Sequence, residues 1–250
     1  MILTLTTDFS DSGGFVAQLK AELIKLFGEG INIIDITHNI TPFNTIEAAY
    51  ITATALDKFP EDSMHIVVVD PGVGTQRNIV AVKYKGQIIV SPENEALSLI
   101  EPDEIRVIEK EEVNPKSSKT FEARDIMVRA AYLIHKNGFE NIGKKKETLC
   151  CSLKPEIKKR KVVGKIVYID NFGNCISNIK EEHLKGGFDK IILKNLIFRH
   201  LEDTYHSPTS SYKALINSSG YLEFAYFKKS FADEFGIGYL DEIEVYLTEE

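Results

Sequence analysis

Strand-like segments alternate with segments of helical periodicity through the first half of the chain, and this alternation limits the possible folds most strongly. Residues 2–7 are rich in β-forming residues, and residues 14–27 carry apolar side chains at helical spacing. Residues 65–69 are almost entirely Val and Ile, which is typical of a strand buried on both faces of a parallel sheet. The pattern predicts an open α/β sheet of the Rossmann-like kind.

The pattern changes after about residue 144. Lys144-Lys145-Lys146 and residues 154–161 form a charged, proline-containing stretch that we interpret as a solvated linker rather than a basic binding site. Beyond it, short strands with turns and little helix predict a small all-β domain, either a barrel or a sandwich. We therefore expect an α/β domain at residues 1–150, a linker at 151–161 and a β-barrel domain at 162–250.

Composition excludes several classes of function. The 250 residues carry a net charge of −7, so neither nucleic acid nor a membrane surface is expected as a partner. No apolar run approaches the roughly 20 residues of a membrane span, and the N-terminus lacks the pattern of a signal peptide. The 3 cysteines have neither disulfide-framework nor metal-ligand spacing, which favours a cytoplasmic location. The absence of Trp and the abundance of Lys and Glu favour a thermophilic source.

Polar residues follow the early strands, where open α/β sheets bind their ligands. Residues 70–75 form a glycine-rich loop that matches neither a Walker loop nor a G-x-G-x-x-G fingerprint. Asp8 ends the first strand, where it could cap the first helix or hold ribose hydroxyls. Residues 168–174 are dense in Asp, Asn and Gly, which taken alone predicts a turn.

These segments together resemble one family. The matching motifs occur in a fixed order: Thr6-Thr7-Asp8-Phe9, residues 34–38, residues 69–75 with Arg77, Pro92-Glu93-Asn94, Thr120-Phe121 with Arg124-Asp125, and residues 169–174. They resemble the S-adenosylmethionine hydroxide adenosyltransferases, also called adenosine-forming S-adenosylmethionine hydrolases, which are relatives of the fluorinase and chlorinase enzymes. The resemblance spans nearly the whole chain.

The resemblance implies an N-terminal α/β domain, a C-terminal β-barrel and a homotrimer. Each active site would lie between one subunit's N-terminal domain and its neighbour's C-terminal domain. Water would attack C5′ of S-adenosyl-L-methionine and release adenosine and L-methionine, with no metal and no cofactor besides the substrate. An acidic chain also suits this cationic small molecule.

The resemblance also assigns roles to individual residues. Asp70 and Arg77 would bind the attacking water, and Asp8 would hold the ribose hydroxyls. Glu122 would complete the catalytic set at the position where the family has histidine. The other substrate-binding residues would be Phe43 packing on the substrate, Asp170 at the methionine ammonium, Phe172 on the base, Asn174 at the adenine edge, Ser218 near the methionine carboxylate, and Glu223 and Tyr226 lining the site.

Glu122 leaves three interpretations open. It could act as the base of an active hydrolase, although Arg77 can neutralise only one of the two carboxylates Asp70 and Glu122. Alternatively, the chain could be a weak or silent protein that binds S-adenosylmethionine or adenosine. A halogen transferase is disfavoured because the hairpin at residues 84–87 lacks the halogenase insertion and Ala123 replaces a small polar residue.

Overall fold

The computed structural model describes residues 1–206 and 211–248, which form two compact units, Met1–Ser152 and Leu153–Glu250. The strands of the first unit are β1 Ile2–Thr7, β2 Asn32–Thr37, β3 Met64–Val68, β4 Ile79–Tyr84, β5 Gln87–Pro92, β6 Glu104–Val107 and β7 Lys144–Lys146. Its helices are α1 Phe15–Phe27, α2 Thr45–Leu56, α3 Lys110–Val113 and α4 Val128–Asn137, with a π-helical turn at Ala123–Met127.

The first unit is built on one mixed sheet in the order β2-β1-β3-β5-β4-β6-β7. Strands β2, β1, β3 and β5 pair in parallel, whereas β4, β6 and β7 add antiparallel neighbours. The α/β class predicted for this half is confirmed, and the antiparallel half of the sheet extends the expected parallel core.

Strand β3 lies inside this sheet, between β1 and β5, and is buried along its whole length. Ile66 and Val68 pack into the hydrophobic cluster that includes α1 and α4, and Val67 packs into the cluster that includes α2. Because alternate side chains of a strand point to opposite faces, β3 is apolar on both faces except at His65, whose ring is hydrogen-bonded to the Thr4 hydroxyl. This explains the nearly continuous apolar run in the sequence.

Asn44 caps the N-terminus of helix α2. The side chain of Asn44 accepts a hydrogen bond of 3.0 Å from the backbone N–H of Glu47, and its amide donates to Glu47 Oε2 at 3.1 Å. The first of these bonds satisfies a backbone donor that the first turn would otherwise leave unpaired.

The second unit is antiparallel. Its strands are β8 Glu156–Lys158, β9 Lys161–Ile169, β10 Cys175–Lys180, β11 Phe188–Leu193, β12 Leu196–Phe198, β13 Tyr212–Ile216, β14 Tyr221–Tyr226 and β15 Glu242–Leu247, and its helix is α5 Phe231–Phe235. They pair in the order β12-β11-β15-β9-β10-β14-β13, with β8 beside β9, and curve into a nearly closed barrel. Phe224 and Phe231 fill its interior, so the prediction of a C-terminal β-barrel is confirmed.

Two charged segments differ from their prediction as linker. Lys144–Lys146 is the edge strand β7, which pairs with β6, and Glu156–Lys158 is strand β8, which pairs with β9. Lysines are common on edge strands because they discourage pairing with other chains, so a charged run does not exclude a strand. No helix within residues 1–206 and 211–248 has the length and apolar character needed to cross a membrane.

Candidate active site

A cavity of about 340 Å³ opens in the first unit beside the carboxyl ends of two neighbouring strands. Thr7 of β1 pairs with Val68 of β3, so the residues that follow these strands, Asp8 and Asp70, emerge side by side. The cavity is lined by Asp8, Phe9, Phe15, Pro42, Phe43, Val68, Asp70, Val73, Thr120, Phe121, Glu122 and Ala123. The structure thus brings the predicted residues Asp8, Phe43, Asp70 and Glu122 to one cavity.

The glycine-rich loop after β3 folds back on Asp70. The backbone N–H of Gly72 donates to Asp70 Oδ1 at 3.2 Å, and the Thr75 hydroxyl donates to the Gly72 carbonyl at 2.7 Å. Gly74 has a φ of +78°, and a Cβ at this position would lie 2.8 Å from the carbonyl oxygen of Lys119. The loop therefore needs glycine there, and its tight course returns Arg77 to Asp70.

Arg77 connects the two carboxylates of the predicted catalytic set. Its Nε donates to both oxygens of Asp70, at 2.9 and 3.1 Å, and its Nη2 donates to Asp70 Oδ2 and, at 2.5 Å, to Glu122 Oε2. The side chains of Arg77, Asp70 and Glu122 are only 13%, 7% and 6% exposed. Burial lowers the pKa of the guanidinium, but the hydrogen bonds and charges of the two carboxylates outweigh it and raise the pKa above its ordinary value.

Lys110 joins this cluster, and the sequence reasoning missed it. Lys110 is the first residue of the short helix α3, and Glu122 immediately precedes the π-helical turn. The Nζ of Lys110 donates to Glu122 Oε1 at 2.9 Å. Two carboxylates therefore face two cations, so Lys110 supplies the second positive charge that Arg77 alone could not provide. The only signal in the sequence was a lysine in a glutamate-rich segment, which resembles an ordinary solvated surface.

Asp8 holds the loop that carries Phe43. The backbone N–H of Phe43 donates to Asp8 Oδ2 at 3.0 Å, and Phe43 has a positive φ of 67°. Helix α1 begins after Gly14 and has no side-chain cap, so Asp8 does not serve as the cap of that helix. Of the two roles left open for Asp8 by the sequence, the structure removes the capping role.

Three phenylalanines form an aromatic wall of the same cavity. The ring centroids of Phe9 and Phe15 lie 5.9 Å apart, those of Phe9 and Phe121 lie 5.9 Å apart, and those of Phe15 and Phe121 lie 5.4 Å apart in an edge-to-face arrangement. Such a wall excludes water from one side of the cavity and offers an apolar surface to a ligand. The sequence reasoning did not assign Phe15 to the site because its spacing indicates a helix core residue.

A second pocket, of about 570 Å³, lies in the second unit. It is lined by Asp170, Phe172, Asn174, Tyr205, Tyr226, Phe227, Lys228, Lys229 and Ser230. Four of the predicted substrate-binding residues, Asp170, Phe172, Asn174 and Tyr226, therefore meet in one pocket.

The turn after β9 shapes this pocket. Asp170 Oδ1 accepts from the backbone N–H groups of Phe172 and Asn174, both at 2.9 Å, and Asp170 Oδ2 accepts from the Asn174 amide at 2.9 Å. Gly173 has a φ of +78°, and a Cβ there would lie 2.1 Å from Ser230 Oγ. The turn expected from the composition of this segment is therefore also the wall of the pocket, with Phe172 79% exposed at its rim.

The structure places the two other predicted residues of this half differently. Ser218 is exposed in the turn between β13 and β14, outside the lining of the pocket. Glu223 is buried on β14, where burial raises its pKa and hydrogen bonds from Tyr205 and Asn217 offset part of the shift. Glu223 therefore lies behind Tyr205, which itself lines the pocket.

The described part of the chain, 1–206 and 211–248, contains no group of three or more His, Cys, Asp or Glu side chains arranged to hold a metal ion.

Family models match both halves of the chain. The model of the SAM hydroxide adenosyltransferase N-terminal domain matches residues 3–143, and the model of the C-terminal domain of the same family matches residues 164–244.

Relatives match over nearly the full length. An (R)-S-adenosyl-L-methionine hydrolase of Methanocaldococcus jannaschii is 33% identical, over 98% of this chain and 95% of its own length. A protein of the same name from Thermus thermophilus is 27% identical, over 92% and 94% of the two chains. A crystal structure of a conserved Thermotoga maritima protein has a TM-score of 0.82 and 29% identity, and covers 98% of this chain and 100% of that one.

Proposed function

This chain belongs to the SAM hydroxide adenosyltransferase family, and on that premise we propose how it hydrolyses S-adenosyl-L-methionine to adenosine and L-methionine. In our proposal Asp70, Arg77 and Glu122 hold the attacking water. Asp8 holds the ribose hydroxyls, and Phe43 packs on the substrate.

The buried ion cluster supports this proposal most directly. Asp70 and Glu122 both line the cavity, and Arg77 holds them together through bonds to each. Carboxylates in this position can accept hydrogen bonds from a water molecule and orient its oxygen lone pair. Because the aromatic wall excludes bulk water from one side, the bound water would be one of few nucleophiles within reach of the substrate.

The chemistry requires little beyond this arrangement. The water oxygen forms a bond to C5′ while the bond between C5′ and sulfur breaks. The electron pair of the broken bond stays on sulfur. Methionine leaves as a neutral thioether, so no general acid is needed. The attacking water loses one proton, and we assign its acceptance to Glu122, with Asp70 sharing the hydrogen bonds to water and Arg77 fixing both carboxylates.

We propose that the second pocket binds the rest of the substrate. Phe172 would pack on the adenine, and Asn174 would meet its polar edge, since both line that pocket. Asp170 would meet the methionine ammonium, and Tyr226 would line the same site. Of the residues outside the lining, Glu223 would support Tyr205 from behind, and Ser218 would approach the methionine carboxylate from its turn.

We further propose a homotrimer in which the cavity of one subunit is completed by the second pocket of a neighbour. Two predicted ligand-contacting rings support it, because Phe43 is 70% exposed and Phe172 is 79% exposed in the single chain. Exposed aromatic side chains at functional surfaces are typical of residues that a ligand or a partner covers.

We also propose a cytosolic location for the enzyme. Its cysteines Cys150, Cys151 and Cys175 are all free, as is usual in a reducing compartment.

One observation favours a second candidate function. Both oxygens of Glu122 already accept hydrogen bonds from Arg77 and Lys110, which leaves each oxygen only its remaining lone pair for a water molecule. A protein that binds S-adenosylmethionine or adenosine and turns it over slowly or not at all would fit this arrangement.

A product assay with a binding measurement separates the two candidates. The purified protein is incubated with S-adenosyl-L-methionine, with the two configurations at sulfur supplied separately because the relatives' names specify the (R) form. The hydrolase proposal expects equal amounts of adenosine and L-methionine. Binding by calorimetry without adenosine at high enzyme concentration would instead support the silent binding protein.

A further inference from the structure

We propose that Lys110 is a positioning residue of the reaction, which pairs with Glu122 and keeps it oriented as the proton acceptor of the attacking water. The inference rests on the proposed function, since it names the residue that lets a glutamate work where the resembling family has histidine. Lys110 itself does not line the cavity, so it acts through Glu122.

The first support is geometric. Lys110 Nζ donates to Glu122 Oε1 at 2.9 Å, and Arg77 Nη2 donates to the other oxygen at 2.5 Å. Each oxygen of the carboxylate therefore has one cationic donor, and the group is held in a single orientation. The remaining lone pairs of both oxygens stay available to water, because a carboxylate offers about four acceptor sites.

The second support is the balance of charge. Arg77 lies between Asp70 and Glu122, and these two carboxylate side chains are 7% and 6% exposed. One guanidinium against two buried carboxylates leaves an excess negative charge, and a buried charge without a partner is costly. Lys110 supplies the second positive charge through its bond to Glu122, while the carboxylate of Asp8 faces the same cavity.

The third support is the loop that Lys110 reaches. Its Nζ also lies 3.5 Å from the carbonyl oxygen of Thr75, within the loop that runs from Asp70 to Arg77. The side chain is 21% exposed and thus largely withdrawn from solvent. Lys110 therefore links the glycine-rich loop to Glu122, and its loss would loosen the two halves of the catalytic set relative to each other.

The role follows from glutamate at position 122 and should depend on it. A neutral imidazole at that position would need no second cation, and a lysine beside it would even oppose its protonation. The contribution of Lys110 should therefore be large with Glu122 and small with Glu122→His. A lysine that only stabilises the fold would contribute equally in both proteins.

The experiment is a double-mutant cycle on kcat and KM with S-adenosyl-L-methionine. In the wild-type background, Lys110→Met should lower kcat roughly 10- to 100-fold with little change in KM. Lys110→Arg should restore most of the rate. In the Glu122→His background, the loss caused by Lys110→Met should be roughly tenfold smaller. The matched control is Lys144→Met, which removes an exposed lysine paired with Glu109 and should leave kcat unchanged.

A second readout does not depend on turnover. Crystal structures of wild type and Lys110→Met show where the Glu122 carboxylate lies in each. Without Lys110, the carboxylate should lose the single orientation in which each oxygen has one cationic donor. Equal losses of kcat in both backgrounds, or a Glu122 carboxylate in the same place in both structures, would overturn the proposal. An inactive wild-type protein in which Lys110→Met displaces the carboxylate would contradict only the proposed function.

Discussion

The guanidinium of Arg77 hydrogen-bonds Oε2 of Glu122 at 2.5 Å, although the two residues are 45 positions apart in the sequence. Arg77 belongs to the glycine-rich loop after β3, and Glu122 precedes the π-helical turn before α4. The bond therefore ties two loops at one edge of the sheet and fixes a carboxylate in the cavity before any substrate binds. Such preorganisation is how enzymes avoid the cost of arranging polar groups during the reaction.

Glu122→Gln should lower kcat by roughly 100-fold or more, because a carboxamide cannot accept the proton of the attacking water. The remaining rate should also lose most of its pH dependence on the acidic side. Steady-state kinetics across pH measures both effects, with circular dichroism to verify folding. Glu112→Gln, which changes an exposed glutamate of α3, is the matched control and should leave the rate intact. An unchanged kcat in Glu122→Gln would remove Glu122 from the catalytic set.

Asp8→Asn tests the proposed binding of ribose. The amide can still accept from the backbone N–H of Phe43, but it loses the charge that strengthens hydrogen bonds to the two hydroxyls. A hydrogen bond to a charged group contributes about 1.5–3 kcal/mol, so kcat/KM should fall roughly 10- to 100-fold. The neighbouring exposed Asp11→Asn should have no such effect. On a 2′-deoxyribose substrate, which lacks one of the two hydroxyls, the loss caused by Asp8→Asn should be smaller. An equal loss of kcat/KM on the ribose and 2′-deoxyribose substrates would show that Asp8 does not bind that hydroxyl.

Subunit complementation tests the proposal that subunits of a homotrimer share their active sites. If Glu122 acts in the first unit and Asn174 in the second, Glu122→Gln and Asn174→Ala should each be inactive when assembled alone. In mixed trimers, about a quarter of the sites would combine two intact halves if each site draws on two subunits. Activity should therefore reappear when the two variants are unfolded and refolded together. No recovery despite mixed trimers in mass spectrometry would place both halves of a site in one chain.

His65 should make the free energy of unfolding depend on pH. It is 1% exposed, and burial lowers its pKa to about 4, so it is neutral in the folded protein over most of the acidic range. The unfolded chain binds its proton near pH 6.5, so stability is lost as pH falls from there toward 4. The expected loss from this group is roughly 2 kcal/mol between pH 7 and pH 5.

Urea denaturation at several pH values measures that slope. His65→Gln removes the titrating ring while an amide can still meet the Thr4 hydroxyl, which bonds the ring at 2.8 Å. The variant should show a flatter dependence on pH by about that amount, whatever its absolute stability. His200→Gln changes a histidine whose side chain is 71% exposed and should keep the wild-type slope. A slope that His65→Gln leaves unchanged would contradict the assignment.

The sequence predicted the architecture and much of the candidate site for identifiable physical reasons. Strand β3 could be predicted because burial on both faces favours apolar residues along the whole strand, and only His65 interrupts them. The proximity of Asp8 and Asp70 follows from parallel pairing of β1 and β3, which places their carboxyl ends at the same edge. The turn at Asp170 could be predicted from its Asp, Asn and Gly residues. The Asp170 side chain accepts hydrogen bonds from nearby backbone N–H groups, and Gly173 adopts a positive φ angle.

What the sequence could not supply depends on tertiary contacts. Lys110 is distant in sequence from most of the cluster, and its pairing with Glu122 depends on where the short helix α3 lies. Strand β7 was missed because three consecutive lysines show no alternation of apolar and polar residues, and only the partner strand β6 makes them a strand. Ser218 was predicted to bind the substrate from its position in a motif, yet it is exposed in a turn. The position of a residue in a motif does not by itself determine where its side chain lies.

The reaction in heavy-oxygen water tests the central claim most directly. If water held by Asp70, Arg77 and Glu122 attacks C5′, mass spectrometry should find one heavy oxygen in the 5′-hydroxyl of adenosine and none in L-methionine. Glu122→Gln should form the same labelled product more slowly. Adenosine that carries no label, or a label in methionine, would contradict attack of water at C5′.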